Sequence, residues 1–377
     1  MRRFVYVSGT RADFGLMRRT LELMRDSGEL NVAICVTGMH LLKEYGHTIS
    51  DIEASGLPVH SRIPVHLDGS GGAIMARAIG QEVVAMADAF DHDRPDGVIV
   101  LGDRGEMLAG AIVAIHSNIP VIHIHGGERS GTVDEPVRHA ISKLAHYHFV
   151  ATAASRERLI RMGERADHVF VTGAPGLDGL RALAARARTE LCDGVGFDPT
   201  RRVALAVFHP VLQEAHEAGR QMEELLHAVL HVGAQIICLE PNADAGGLAV
   251  RNALNRFRDH QDIRVYTHLP REKYVSWMAA ADVMVGNSSS GIIEAATFGL
   301  SVVNVGSRQQ FRERSEGILD VPAERGAISA AIQRTFLADF AKPTKNVYGD
   351  GNAGPRIVEL LRRLPLDSGI LQKANEY

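Results

Sequence analysis

The chain contains one short segment that decides its fold class, residues 4–15, with the sequence FVYVSGTRADFG. The segment opens with an unbroken apolar run, as expected for a strand covered on both faces of a parallel sheet. A turn, Ser8-Gly9-Thr10, then leads into a helical pattern. Such a turn presents backbone N–H groups to an anion, and Arg11 adds a positive charge. The alternative is an ordinary strand–helix turn with a solvated arginine.

The same segment argues against two common nucleotide-binding motifs. It does not have the GxGxxG spacing, and no acidic residue follows at the distance that a dinucleotide ribose requires. It does not have the GxxxxGK[ST] pattern of a P-loop either. Binding of a nicotinamide dinucleotide is therefore disfavoured, and no cofactor is expected.

Strand and helix patterns alternate along almost the whole chain. The predicted strands are residues 4–7, 32–36, 97–101, 120–124, 148–151, 169–172, 203–208, 235–239, 263–266, 283–285 and 302–305. The predicted helices are residues 15–24, 74–90, 105–115, 134–145, 155–162, 222–231, 248–257, 272–280, 291–298, 328–336 and 356–364. Alternation of this kind produces right-handed βαβ units in a doubly wound sheet.

The alternation pauses over residues 173–200, which we interpret as a linker. The sequence thus predicts an α/β protein with two Rossmann-like doubly wound domains that face a cleft. The N-terminal domain covers residues 1–172 and the C-terminal domain residues 201–377, with the last helix free to pack back onto the N-terminal domain. Ligands of such sheets bind beyond the carboxyl ends of the strands, so functional residues are expected there.

The composition excludes several classes of function. The formal net charge is −4 and only 5% of residues are aromatic, which disfavours a nucleic-acid partner. The three cysteines are far apart and form no CxxC pair, so no disulfide framework or cysteine-based zinc site is expected. A reducing cytoplasm is the natural compartment. No apolar run approaches the roughly 18 residues that span a membrane, so no membrane partner is expected.

The richest motif is HIHGGERSGTVDEPVRH at residues 123–139. Its two histidines, His123 and His125, share one face of a strand. The carboxylates of Glu128, Asp134 and Glu135 follow within a few positions, and mutual repulsion should raise the pKa of some of them for proton transfer. The alternative for Asp134 and Glu135 is a helix start favoured by the dipole. A histidine metal site is less favoured than core or pocket histidines, because no third ligand is evident.

Further polar residues follow predicted strands in both halves. Asp103 lies in GDRGE, where it could also cap the next helix, and His209 lies in FHP, where a loop position is the alternative. The block GNSSSGIIE at residues 286–294 suits a diphosphate, and its Glu294 could accept from sugar hydroxyls. A plain serine N-cap is the alternative there. Asn242, after another strand, is a weaker candidate for lining the cleft.

Taken together, these motifs resemble the UDP-N-acetylglucosamine 2-epimerases over about residues 1–340. The carrying blocks are SGTRADFG, VTGMH, GDRGE, HIHGGERSGTVDEPVRHAISK, FHP and GNSSSGIIE. Non-hydrolysing relatives typically have EAGxR where this chain has HGGERSGT, so the resemblance favours the hydrolysing branch of sialic acid and legionaminic acid biosynthesis. It implies the glycosyltransferase-B fold, a nucleotide-sugar partner, a homodimer or homotetramer, and no metal.

The resemblance also implies roles for individual residues. The implied catalytic residues are Asp103, Glu128, Asp134, Glu135 and His209. The implied substrate-binding or UDP-binding residues are Arg11, Asp13, Arg138, Asn242, Ser288, Ser289, Ser290, Gly291 and Glu294.

The implied reaction begins with removal of the C2 proton and loss of UDP, which leaves a 2-acetamidoglycal. Water then adds to give a free sugar with inverted C2, either N-acetylmannosamine or its 4-acetamido-6-deoxy analogue. The alternatives are a non-hydrolysing epimerase, a glycosyltransferase of the same fold, a non-catalytic nucleotide-sugar sensor and, least favoured, a metallohydrolase that uses His123 and His125. The sequence does not decide between a C4 hydroxyl and a C4 acetamido group on the substrate.

Overall fold

The chain folds around two parallel β-sheets. The structure, a computed structural model, describes residues 1–66, 72–131, 134–241, 246–338, 340–343 and 345–376. In these residues the first sheet has the order β3-β2-β1-β4-β5-β6-β7 and the second the order β10-β9-β8-β11-β12-β13. The strands are β1 Arg2–Ser8, β2 Leu30–Val36, β3 Val59–Arg62, β4 Gly97–Leu101, β5 Val121–Ile124, β6 Tyr147–Val150, β7 Val169–Val171, β8 Val203–Val207, β9 Gln235–Leu239, β10 Ile263–Tyr266, β11 Val283–Gly286, β12 Val302–Val305 and β13 Ile318–Val321.

Helices connect the strands and cover both faces of each sheet. They are α1 Arg11–Asp26, α2 Ile49–Ala54, α3 Gly72–His92, α4 Gly105–His116, α5 Asp134–Leu144, α6 Ala153–Arg161, α7 Leu180–Leu183, α8 Arg188–Asp193, α9 Ala218–His231, α10 Gly247–Asn255, α11 Arg271–Ala280, α12 Ser289–Ile293, α13 Arg325–Thr335 and α14 Ala353–Arg363. We call the first sheet with its covering helices the first lobe, and the second sheet with its covering helices the second lobe. The predicted α/β fold class is confirmed.

The first helix shows how local sequence positions a functional side chain. Thr10 is the N-cap of α1, and Asp13 completes a capping box with it. The buried face of α1, which includes Phe14, Met17 and Leu21, packs on the first sheet. This packing fixes Arg11 at the start of the helix, beyond the carboxyl end of β1.

Two strands, β3 and β13, were not predicted. Both lie at a sheet edge, and their residues are only partly buried. An edge strand is exposed on one side and does not need the continuous apolar run of a central strand. Their sequences, VHSR and ILDV, therefore carry a weak strand signal.

The segment 173–200, predicted as a linker, is built into the second lobe. Its side chains Leu177, Leu191 and Phe197 belong to a core cluster that contains Trp277. The last helix, α14, returns to the first lobe and packs Ile357 and Leu361 into the same core as α1. The domain boundaries themselves stay a prediction. No helix in the described residues is both long and apolar enough to cross a membrane.

Candidate active site

A cavity of about 320 Å³ opens between the two lobes. The first lobe contributes the start of α1, with Arg11 and Gly15, and the second lobe contributes the loops after β8, β9 and β11. Its lining includes six of the predicted site residues: Arg11, His209, Ser288, Ser289, Ser290 and Glu294. The cavity thus lies beyond the carboxyl ends of parallel strands, where ligands of such sheets bind.

The serine loop is shaped by a close backbone approach before it. Gly286 ends β11 with a φ of 135°, and a Cβ there would collide with the Val207 carbonyl. Ser288 then caps α12 by accepting from the Ser290 amide, and its hydroxyl lies 2.9 Å from that of Ser290. The Tyr274 hydroxyl contacts Ser290 at 2.5 Å. The loop therefore presents an ordered set of hydroxyl groups to the cavity, while Gly291 is buried behind it.

Glu294 lies at the end of this loop and is 1% exposed. Arg271 of α11 forms an ion pair with both of its carboxylate oxygens. Burial alone would lower the pKa of Arg271, but the adjacent Glu294 carboxylate raises it above the ordinary value. Arg271 and Tyr274 were missed by the sequence analysis, since helix α11 carries no motif. Arg271 begins α11 and Tyr274 lies one turn further on, so the signal that points to them is their place at the start of a helix that follows strand β10.

Arg11 and His209 meet the cavity from opposite lobes. Arg11 donates to the Thr267 carbonyl at 2.8 Å and contacts Nδ1 of His268 at 2.5 Å, so it already bridges the lobes. Burial lowers the pKa of Arg11 from its ordinary value. The His209 amide donates to the Asn287 side chain at 2.7 Å, which pins the FHP loop to the serine loop.

The carboxylates Asp103 and Glu128 lie outside the cavity lining, at the ends of the adjacent strands β4 and β5. Arg138, which is 0% exposed, forms an ion pair with Asp103 and donates to the Glu128 carbonyl at 3.0 Å. Arg312 of the second lobe forms an ion pair with Glu128 and lies 3.9 Å from Asp103. Both carboxylates are therefore paired with arginines, and for Glu128 this pairing opposes the mutual repulsion predicted with Asp134 and Glu135.

Glu135 is held by its own loop. Its Oε2 accepts from the amides of Ser130 and Gly131 at 2.7 and 2.8 Å. Partial burial would raise the pKa of Glu135, but these two hydrogen bonds bring it below the ordinary value. Glu135 is therefore not one of the carboxylates whose pKa is raised, and its two backbone hydrogen bonds hold the loop at residues 130–131. Asp134, by contrast, faces the second lobe, with its carboxylate 3.7 Å from Arg308.

Two predicted ligand-binding residues are turned inward. The Asp13 carboxylate is buried and accepts from Ser8, Thr10 and the Gly9 amide, and burial raises its pKa. It is absent from the cavity lining, and its contacts hold the turn that precedes α1. The Arg138 guanidinium is likewise enclosed and forms an ion pair with Asp103. Asn242 lies outside the described residues.

A bridging segment, residues 307–315, connects the two parts of the site and was missed. Its Gln309 side chain donates at 3.0 Å to the Asn287 carbonyl, directly before the serine loop. Arg308 and Arg312 of the same segment reach the carboxylates of the first lobe. The sequence SRQQFRERS carries three arginines, and this concentration of charge is the signal that could have found it.

The two histidines of the HIH motif have different partners. His123 contacts the Ser142 hydroxyl at 3.0 Å and the Gly102 carbonyl at 2.8 Å. His125 Nδ1 lies 2.5 Å from Oε1 of Glu128. Among the described residues, no group of three or more His, Cys, Asp or Glu side chains is arranged to hold a metal ion.

Two facing parallel α/β sheets with a cleft between them define a protein of the glycosyltransferase-B fold. The structure is similar to that of UDP-GlcNAc 2-epimerase from Neisseria meningitidis bound to UDP-GlcNAc. The TM-score is 0.82 and the identity 18%, over 95% of this chain and 99% of that chain.

The model of the UDP-N-acetylglucosamine 2-epimerase family matches residues 22–362, and the chain belongs to this family. It is 49% identical to the UDP-N,N'-diacetylbacillosamine 2-epimerase (hydrolyzing) of Legionella pneumophila, over 100% of both chains. It is 34% identical to a UDP-N-acetylglucosamine 2-epimerase of Neisseria meningitidis, over 89% of this chain and 87% of the relative. The family predicted from the motifs is confirmed.

Proposed function

We propose that this protein is a hydrolysing 2-epimerase that converts a UDP-2-acetamido sugar to UDP and the free sugar with inverted C2. The observation that carries the proposal is the identity of 49%, over the full length of both chains, with a relative named as a hydrolysing enzyme. That relative favours UDP-N,N'-diacetylbacillosamine, a UDP-2,4-diacetamido-trideoxyglucose, as the substrate. UDP-N-acetylglucosamine is the second candidate, since it appears in the name of the family and of another relative.

The cavity supports binding of the nucleotide half of such a substrate. Its hydroxyl groups at Ser288, Ser289 and Ser290 and the Arg11 guanidinium suit a diphosphate. The Glu294 carboxylate, held by Arg271, suits the hydroxyl groups of a ribose. Because UDP leaves as an anion, these donors and His209 stabilise the charge that develops on the leaving diphosphate.

The carboxylates beyond β4 and β5 support the proton transfers. In the first half-reaction a base takes the C2 proton, the C–H electron pair forms the C1=C2 bond, and the C1–O pair leaves with UDP. In the second, a water oxygen bonds to C1 and a proton adds to C2 from the opposite face. At least two acid–base groups on different faces are therefore required. We propose Asp103, Glu128 and Asp134 as candidates, with Glu135 and Arg138 in positioning roles.

The bridging segment supports coupling between the two halves of the site. It touches the carbonyl before the serine loop and, through Arg312, the carboxylates. Approach of the lobes around the substrate would exclude bulk water until the glycal has formed. Closure would thus keep the reactive intermediate from escaping.

Proton NMR of the purified protein in deuterated water tests the proposal. One tube holds UDP-N-acetylglucosamine and a second holds UDP-N,N'-diacetylbacillosamine. We expect free C2-inverted sugar with deuterium at C2, together with released UDP, and preferentially in the second tube. Turnover in the first tube alone would assign N-acetylmannosamine as the product. A sugar that stays linked to UDP would assign a non-hydrolysing epimerase, and no reaction in either tube would contradict the proposal.

A homodimer or homotetramer and a cytoplasmic location are part of the proposal. Light scattering of the purified protein would measure the first. A particle mass of 40.9 kDa, that of a single chain, would contradict it.

A further inference from the structure

His125 occupies an unusual backbone position at the end of β5. Its φ is 62°, in the left-handed region that residues with a Cβ avoid. Among the described residues, the other non-glycine residues with positive φ are His47 and Asn118, and neither lies beside the carboxylates. Strain of this kind costs on the order of 1–3 kcal/mol and persists mainly where the side chain must point in one direction. The strain is therefore a reason to ask what His125 does.

The imidazole of His125 is held by one specific contact. Its Nδ1 lies 2.5 Å from Oε1 of Glu128, while the other carboxylate oxygen accepts from Arg312. Both oxygens of Glu128 are thus engaged, and its side chain is 4% exposed. The other ring nitrogen of His125, Nε2, has no hydrogen bond within the part of the chain that the structure describes. A carboxylate on one nitrogen fixes the tautomer and leaves the other as an acceptor.

The surroundings keep this imidazole neutral. Burial and, to a smaller extent, the charge of Arg312 lower the pKa of His125 to about 3, whereas the charge of Glu294 acts in the opposite direction. The charged groups that face the ring are Glu128 on its own loop, and Arg312 and Glu294 of the second lobe. The Nε2 lone pair is therefore available near neutral pH.

We propose that His125 and Glu128 act as one acid–base unit, in which Nε2 of His125 takes the C2 proton of the sugar and Glu128 positions the imidazole. This inference rests on the proposed function. The lone pair of Nε2 bonds to the proton, the C2–H pair becomes the C1=C2 bond, and the C1–O pair departs with UDP. The imidazolium is stabilised by Glu128 and returns its proton to water. Glu128 is then a positioning residue rather than the group that touches C2.

The first test is His125→Asn. Asparagine tolerates the left-handed backbone, and its Nδ2 can replace Nδ1 as the donor to Glu128, but it has no group in place of Nε2. We expect kcat to fall by about 10²–10⁴-fold, with loss of deuterium exchange at C2 and no change in UDP affinity by calorimetry. The matched control is His47→Asn, the same change at an exposed left-handed histidine, which should retain normal turnover. Normal kcat in His125→Asn would overturn the inference.

A double-mutant cycle tests whether the two residues work together. Glu128→Gln and His125→Asn are combined, and kcat is measured for each single variant and for the pair. Members of one unit give a double variant about as slow as the slower single variant. If the two fold-losses multiply instead, the groups act independently and the inference is wrong.

Two controls keep the outcomes separable. His125→Gln is prepared in case the asparagine variant does not fold, and the same loss of C2 exchange is expected, because neither amide accepts a proton near neutral pH. The wild-type protein is assayed alongside with both UDP-sugars. An inactive wild type would contradict the proposed function, whereas an active wild type with an unaffected, folded His125 variant would contradict only this inference.

Discussion

Replacement of Arg138 by methionine should destabilise the first lobe. The guanidinium is 0% exposed, forms an ion pair with Asp103 and donates to the Glu128 carbonyl at 3.0 Å. Methionine keeps much of the apolar volume of the stem but leaves the Asp103 carboxylate without its main partner. Removal of one member of a buried pair costs about 3–5 kcal/mol. We expect about 3 kcal/mol, because the Asp103 side chain is 21% exposed and Arg312 lies 3.9 Å away.

Urea unfolding at pH 7, followed by far-UV circular dichroism, measures the change in the free energy of unfolding. The single tryptophan, Trp277, is buried in the second lobe, so its fluorescence reports that lobe alone. If the lobes unfold separately, the decrease in the free energy of unfolding should be larger when followed by circular dichroism than when followed by Trp277 fluorescence. Arg161→Met, at an exposed position of α6, is the control and should change stability by less than about 0.5 kcal/mol. A loss below about 1 kcal/mol for Arg138→Met would refute the reasoning, since the pair would then contribute no more than a surface ion pair.

Three further predictions concern other parts of the molecule. Burial would raise the pKa of Glu164, but its ion-pair partners lower it to about 2, below the ordinary 4.5. The stabilising contribution of Glu164 is thus present above pH 4.5 and is lost as the pH falls towards 2. In Glu164→Gln, the free energy of unfolding measured in urea should therefore decrease less over this pH range than in the wild type. An equal decrease in both proteins would contradict this. Gly286→Ala should lower the free energy of unfolding by about 1–3 kcal/mol and weaken UDP binding, because the alanine Cβ would collide with the Val207 carbonyl. Equal melting temperatures of the variant and the wild type would count against this. Arg271→Met should weaken UDP binding about tenfold by calorimetry, since it leaves the buried Glu294 unpaired, and an unchanged Kd would show that Glu294 is not used.

The central strands were predictable because each must be apolar on both faces. The central strands at residues 97–101, 235–239 and 302–305 begin and end at the predicted residues. The edge strands β3 and β13 were not predicted, because a strand at an exposed edge does not need to be apolar on both faces. Most helix starts, although not those of α4 and α5, were predicted one to four residues late, because capping side chains rather than apolar periodicity decide them. Thr10 at α1 is one such cap.

Only part of the candidate site could be predicted from the sequence. Local motifs identified Arg11, Ser288 and Glu294 at the cavity, because glycine-rich and serine-rich turns carry a local signal. The ion pair between Glu128 and Arg312 could not be predicted, since the two residues are 184 positions apart and only the tertiary fold brings them together. The inward orientation of Asp13 follows from a capping box, which its spacing to Thr10 already permitted.

The return of α14 to the first lobe has a consequence for how the protein is made on the ribosome. The core under α1 contains Leu21 and Met24 together with Ile357 and Leu361. Because the ribosome synthesises the chain from its N-terminus, the second lobe leaves the ribosome before α14 can complete this core. The lobe that is synthesised first is therefore completed last. A truncation before residue 353 should leave an apolar groove along α1, open to chaperones and proteases, even though every strand of both sheets is present.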